Sequence, residues 1–237
     1  MKRNLLRTLA DAAFIAGTAL LFLGCIATSY RSARTLEPGQ VSLGGGYLHA
    51  INIEDEEDGD PAQFVNLDFR ASPGRQVDFG LAHTFDASSG NDNAFATVWG
   101  DVKVQLTNTD NELNKLTFST GLMKGYAYHE KAKRHITTIP LILSIPLSEQ
   151  LTPTLVYRHE FMSETVIPGE SEELQYPRSF FALGVEYALR PPSLTEPTVK
   201  LGASVGTFNA LAGGEDGERG LTFNVGISVD LPVSRTQ

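Results

Sequence analysis

The chain has little with which to brace or decorate itself covalently: one cysteine and one tryptophan in 237 residues. A lone Cys25 excludes an intramolecular disulfide, so the fold is held by hydrogen bonding and packing. Bases are scarce as well. Lys and Arg number 19 against 28 Asp and Glu, and a formal charge of −9 argues against a nucleic-acid partner. Absent too are Gly-x-Ser-x-Gly, His-Glu-x-x-His and a phosphate-cradling glycine loop. His49, His83, His129, His135 and His159 are scattered. The sequence therefore nominates no catalytic residue and no cofactor, and the expectation is a protein that is not an enzyme.

What is present begins with an export signal. Lys2, Arg3 and Arg7 precede an apolar run, Ala12 to Gly24, of 13 residues. That is shorter than the roughly 18 to 20 residues of a membrane-spanning helix and suits a removable leader. The run ends in Phe22-Leu23-Gly24-Cys25, which resembles the lipobox of bacterial lipoproteins. The resemblance rests on Gly24 and Cys25, with Phe22 and Leu23 departing from the usual flanks. It implies cleavage after Gly24, acylation of Cys25 and passage through the lipoprotein-sorting machinery. By the same resemblance, Ile26 in place of Asp removes the usual inner-membrane retention cue. The alternative is an ordinary secretory signal with Cys25 discarded or left as a thiol. Loss of residues 1–24 removes Lys2, Arg3, Arg7 and Asp11, a net +2, which takes the charge from −9 to −11. The expected organisation is a signal peptide over 1–24, an acylated aperiodic tether over 25–38, and one β-domain over 39–237.

That domain is announced by alternation. From Leu221 to Leu231 one face carries Leu221, Phe223, Val225, Ile227, Val229 and Leu231, and the other Thr222, Asn224, Gly226, Ser228 and Asp230. Nine earlier segments repeat the theme, starting near Gln40, Val65, Val77, Thr97, Lys115, Ile136, Leu151, Phe181 and Val199. Pro140 and Pro146 disturb the sixth, where a bulge or a shortened strand is expected. A soluble lipocalin-like barrel hides the apolar face, and a membrane barrel exposes it. Here the polar face is mostly Gly, Ala, Ser, Thr and Asn, which suits a crowded lumen better than a solvated exterior. The expected fold is an all-β, antiparallel, up-and-down transmembrane barrel of about ten strands. By resemblance to bacterial outer-membrane barrels, it belongs in the outer membrane and depends on the barrel-assembly machinery.

The connections orient it. The odd ones, among them Glu54 to Pro61, Met162 to Tyr176 and Asn209 to Gly220, are on average longer than the even ones and are expected outside the cell. Lumen-facing charges are Asp68, Arg70, Asp78, Asp101, Lys103, Arg158, Glu160, Glu186 and Lys200. In a narrow barrel these pair and plug; in a wider one they select solutes. Tyr47, Tyr126, Tyr128, Tyr157, Phe161 and Tyr187 are the candidates for interfacial girdles against outer-membrane lipids. The acidic run Glu54 to Asp60 offers oxygen ligands, with Glu54, Asp55, Asp58 and Asp60 a weak cation site lacking the Asp-x-Asp-x-Asp-Gly spacing. The chain resembles the omptin surface proteases only in inferred strand count. The expected function is a non-catalytic structural or surface-interaction scaffold, with a narrow solute channel and a soluble lipocalin-like lipoprotein binding an apolar ligand as alternatives.

Overall fold

The computed structural model describes residues 31–52, 62–87, 96–107, 116–128, 132–166, 174–210 and 218–232. Cys25, His129 and the acidic run at 54–60 lie outside them. The strands are β1 (Gln40–Asn52), β2 (Ala62–Gly74), β3 (Val77–Asp86), β4 (Ala96–Gln105) and β5 (Thr117–Tyr128), then β6 (Ala132–Ser144), β7 (Leu151–Val166), β8 (Leu174–Ala188), β9 (Thr198–Ala210) and β10 (Glu218–Pro232). Each pairs antiparallel with its sequence neighbours, and β1 pairs with β10 from Gln40↔Pro232 to Asn52↔Gly220, closing the barrel. Closure leaves no sheet edge, which is what lets strands cross a bilayer with every ladder position paired.

The period-2 pattern sets which side is wet. Leu81, Leu183, Phe79 and Val225 are all more than half exposed on the outside. Ser42, Asn66, Asp78, Ser119 and Ser144 point inward and are fully buried. A water-soluble barrel would show the opposite, so the lipocalin-like alternative does not fit this surface.

Three features differ from the sequence-based expectation. Pro140 causes neither a bulge nor a shortened strand, because β6 runs 13 residues and keeps one register against β7. Its effect is a gap in the β5–β6 ladder between Thr120↔Leu141 and Met123↔Thr138, where the missing N–H breaks pairing without slipping it. Pro146 falls just past the strand. Second, the connections at the rim holding the ends of β1 and β10 are 75–76, 106–116, 145–150 and 189–197, and those at the far rim are 53–61, 87–95, 129–131, 167–173 and 211–217. The expected contrast in length is gone, since β7 to β10 extend into what read as loops. Their outer ends carry Ser163, Glu164, Thr165 and Arg219, polar residues that hide a strand from a search for apolar alternation.

The third difference concerns the tether. Of residues 25–38, those described, 31–38, lie within the barrel. Ala33 is fully buried, and Ser32, Thr35 and Leu36 are each under a tenth exposed. The chain leaves the lumen through Glu37-Pro38-Gly39-Gln40, a β-turn in which Gln40 N–H donates to the Glu37 carbonyl at 2.9 Å. Proline fixes the first corner. Gly39 takes φ +82° at the second, a conformation that favours glycine, and its N–H donates to the Ser72 carbonyl at 2.9 Å.

Candidate functional site: the occupied lumen

Inward positions of seven strands bring charges of opposite sign together. Arg70 of β2 meets Asp101 of β4 with Nη2 2.8 Å from Oδ1, both side chains about 5% exposed. Lys103 of β4 lies 3.2 Å from Asp78 Oδ2 of β3. Lys200 of β9 bridges Asp230 at 2.9 Å and Glu186 at 3.4 Å, joining β8, β9 and β10. Arg158 faces Glu160 at 3.9 Å, with its guanidinium 4.1 Å from the centroid of the Phe180 ring. Such pairs offset the cost of holding charge away from water only when each has its partner. All nine lumen charges named from the sequence thus point inward, and eight of them pair with a group from another strand or from the inserted segment; Glu160 meets Arg158 of its own strand.

The inserted segment completes the set. Arg31 pairs with Asp68 of β2 and donates from Nη1 to Ser42 Oγ at 3.0 Å. Beyond it, wall side chains engage chiefly the backbone of 32–37, with the Thr35 hydroxyl donating to Gln105 Oε1 at 3.1 Å and to the Arg75 carbonyl at 2.9 Å. Ser32 N–H donates to Glu186 Oε2 at 3.3 Å, Ala33 N–H to Ser144 Oγ at 2.7 Å and Thr35 N–H to Gln105 Oε1 at 2.9 Å. Leu36 N–H donates to Asp78 Oδ1 at 3.0 Å, and Glu37 N–H to Gln40 Oε1 at 3.1 Å. On the acceptor side, Lys103 Nζ donates to the carbonyls of Arg34 at 2.8 Å and Ser32 at 3.3 Å. Buried backbone groups must be paired, and here the barrel wall does the pairing.

One apolar spot receives the segment. Ala33 packs with Ile142, Val156, Phe180 and Ala182, with Phe208 against them. Beside it, between Arg31, Arg70, Lys103, Ile142 and Arg158, lies a void of about 20 Å³. That is close to the space of a single water.

Sequence reasoning missed Arg31 and the insertion of 31–38, and it left Asp230 among polar-face residues without a partner. The alternation that placed Asp230 opposite Val229 and Leu231 already pointed it inward. No periodicity marks 31–38, and its partners, from Asp78 to Glu186, are distant in sequence.

On the outside, Phe161 is about half exposed toward the far rim, Tyr126 lies at the same end, and Tyr187 lies toward the rim of the chain ends. Tyr47 and Tyr157 sit nearer the middle of their strands; Tyr157 Oη is 3.4 Å from Ser179 Oγ. The side chain of Tyr128 lies outside the described residues. Outward histidines accompany these rings. His83 stacks at 4.1 Å on Phe85, His159 meets Phe161 edge-on at 4.6 Å, His135 sits 5.1 Å from Tyr126, and His49 lies 6.3 Å from Tyr47. His49, His83 and His159 share their parity with neighbouring apolar residues, a signal that was available in the sequence. Among the described residues no group of His, Cys, Asp and Glu is arranged to hold a metal ion.

Polar and paired within, apolar without and closed on itself, the chain is a transmembrane β-barrel of the outer-membrane type. No family model matches it, and no curated protein does. Among solved structures it is similar to an outer membrane channel from Pseudomonas putida F1, at 10% identity and a TM-score of 0.47 over 87% of this chain and 99% of that one. It is also similar to Neisserial surface protein A, at 14% identity and a TM-score of 0.37 over 81% and 96%. The outer membrane protease OmpT from Escherichia coli aligns at 11% identity and a TM-score of 0.35 over 84% and 98%. At such identities and scores they carry nothing about activity.

Proposed function

We propose that this chain is a closed outer-membrane barrel, a non-catalytic scaffold whose own N-terminal segment stops the lumen. The observation that carries this reading is the backbone of 32–37 held by Glu186, Ser144, Gln105, Asp78 and Gln40, with Lys103 on its carbonyls. A pore for small solutes would need an open path at this level, where the segment lies across the lumen beside a void of about 20 Å³. An even strand number puts both ends of the strand set on one rim, and we assign that rim to the periplasm, the side from which an exported chain enters the outer membrane. Acylation of Cys25 adds a second hold on a membrane position that the barrel already determines. The apolar exterior supports this order of importance, because it needs lipid with or without acyl chains.

Two measurements test the reading. The Cys25→Ala variant, with its leader intact, stays in the outer-membrane fraction and shifts in gel mobility on boiling. Recovery of that variant from soluble periplasm would defeat the barrel assignment. In planar bilayers the full chain gives no steady conductance, whereas a variant with residues 31–36 deleted conducts. Steady conductance of the full chain, with Lys103→Ala and Arg158→Ala altering its ion selectivity, would turn the reading into a channel.

A further inference from the structure

The outward face of the barrel is one-sided in charge. No strand aspartate or glutamate whose side chain is described falls on the outward parity, while Lys124, Lys133 and Arg219 do, with His49, His83, His135 and His159. These bases cluster toward the far rim. A lysine facing lipid is costly at mid-bilayer and cheap near the headgroups, so the Lys124 ammonium reaches along its stem for an anion there.

Beside Lys124 the wall is indented. Gly100 of β4 lies between Leu81 of β3 and Lys124 of β5 in the pairing register, and its missing side chain leaves a hollow. The resulting groove holds about 510 Å³ and is bordered by Leu81, Val98, Tyr126 and His135 as well as Gly100 and Lys124. Apolar walls with a cation and two further polar rings at the headgroup side match one kind of occupant. The geometry points to a phosphorylated lipid of the outer leaflet, its headgroup beside Tyr126 and His135, its phosphate on Lys124 and its first acyl methylenes over Leu81 and, one pairing row deeper, Val102 and Leu122.

This inference rests on the membrane-barrel reading, and the experiment separates the two. The full-length chain in neutral maltoside micelles is titrated with bisphosphorylated lipid A, and the heat of binding is followed by calorimetry. A gel-mobility shift on boiling reports folding of every variant. The expected result is a saturable change for the native chain and for Lys124→Arg. Affinity falls about tenfold in Lys124→Ala, the loss of one charge-assisted bond. It falls also in Gly100→Leu, whose added Cβ would sit 3.9 Å from Leu81 and so fills the groove without a clash. Lipid A stripped of both phosphates gives no saturable change.

Equal affinity of native chain and Lys124→Ala would overturn the assignment, and so would equal binding of dephosphorylated lipid A. An identical response to phosphatidylglycerol would reduce the groove to general attraction for anionic lipid, against the proposal. A Gly100→Leu effect confined to oligomeric mass would make a second copy of the chain the occupant. A heat-shifted barrel with a flat titration removes this inference alone, whereas a native chain with no heat shift removes the membrane reading and the lipid site together.

Discussion

Replacing Lys103 by Met probes the plug at its tightest point. Methionine keeps much of the length and the apolar stem of the side chain while deleting the ammonium. What disappears is the 3.2 Å pair with Asp78 and the hydrogen bonds to the carbonyls of Arg34 and Ser32. Asp78 is fully buried and keeps Leu36 N–H as a partner but loses its cation. Breaking a buried pair from one side costs about 3–5 kcal/mol, because the remaining charge stays buried. We expect about 3 kcal/mol, at the lower end, since the Leu36 donor still serves the carboxylate. The double variant Lys103→Met with Asp78→Asn, which removes the stranded charge, should recover about half of that loss. Urea-driven unfolding from lipid vesicles, followed by gel mobility and Trp99 emission, reads both values. The same variants in planar bilayers should show intermittent conductance in Lys103→Met as the segment escapes. A single variant within about 0.5 kcal/mol of the native chain would refute the reasoning. It would mean that water, not Lys103, satisfies Asp78 and the two carbonyls.

Other perturbations separate backbone from side-chain recognition. Ala33→Pro removes an N–H that donates to Ser144 Oγ and should destabilise the inserted segment, whereas Ser32→Ala, which leaves every backbone bond intact, should be within about 0.5 kcal/mol of the native chain in the same unfolding assay. Gly80→Ala places a methyl against Asp101 and Arg70 Nη2, so the buried pair must part; a loss of about 2–4 kcal/mol in urea unfolding is expected. Gly125→Val drives a side chain into the Trp99 ring, and a shifted Trp99 emission with a cost of about 1–3 kcal/mol is the expected outcome. Lys200→Met strands Glu186 and Asp230 together and should lower the urea midpoint more than Arg158→Met, whose partner Glu160 lies at 3.9 Å.

Much of the barrel could be read from particular residues. The Leu221–Leu231 alternation gave the parity of β10, and Ser72-Pro73-Gly74-Arg75 marked the tight turn before β3. Parity put Asp68, Arg70, Asp78, Asp101 and Lys103 on one face, and the small Gly, Ala, Ser, Thr and Asn residues of that face marked it as the inward one. What alternation could not supply was the partner of each charge. Lys200 meets Asp230 because β9 and β10 pair in one register, and register depends on closure of the whole sheet. The segment 31–38 was opaque for a different reason: apart from Arg31 and the Thr35 hydroxyl, its bonds to the wall are made by its backbone, which every residue shares, to side chains spread from Asp78 to Glu186. Pro38-Gly39 was the one local signal, and it marked a turn without saying that the chain before it lay inside.

That turn makes the plug a tethered ligand. Glu37-Pro38-Gly39-Gln40 joins the occupant to the wall of its own binding site, so closing the lumen is a unimolecular event that dilution does not reverse. A short tether holds its ligand at an effective concentration of order millimolar. Any free peptide offering the same backbone N–H groups to Gln105, Ser144 and Glu186 would have to exceed that concentration to displace it. The barrel thus favours its own segment largely by connection, since most of the hydrogen bonds to 32–37 are made by groups common to all polypeptides.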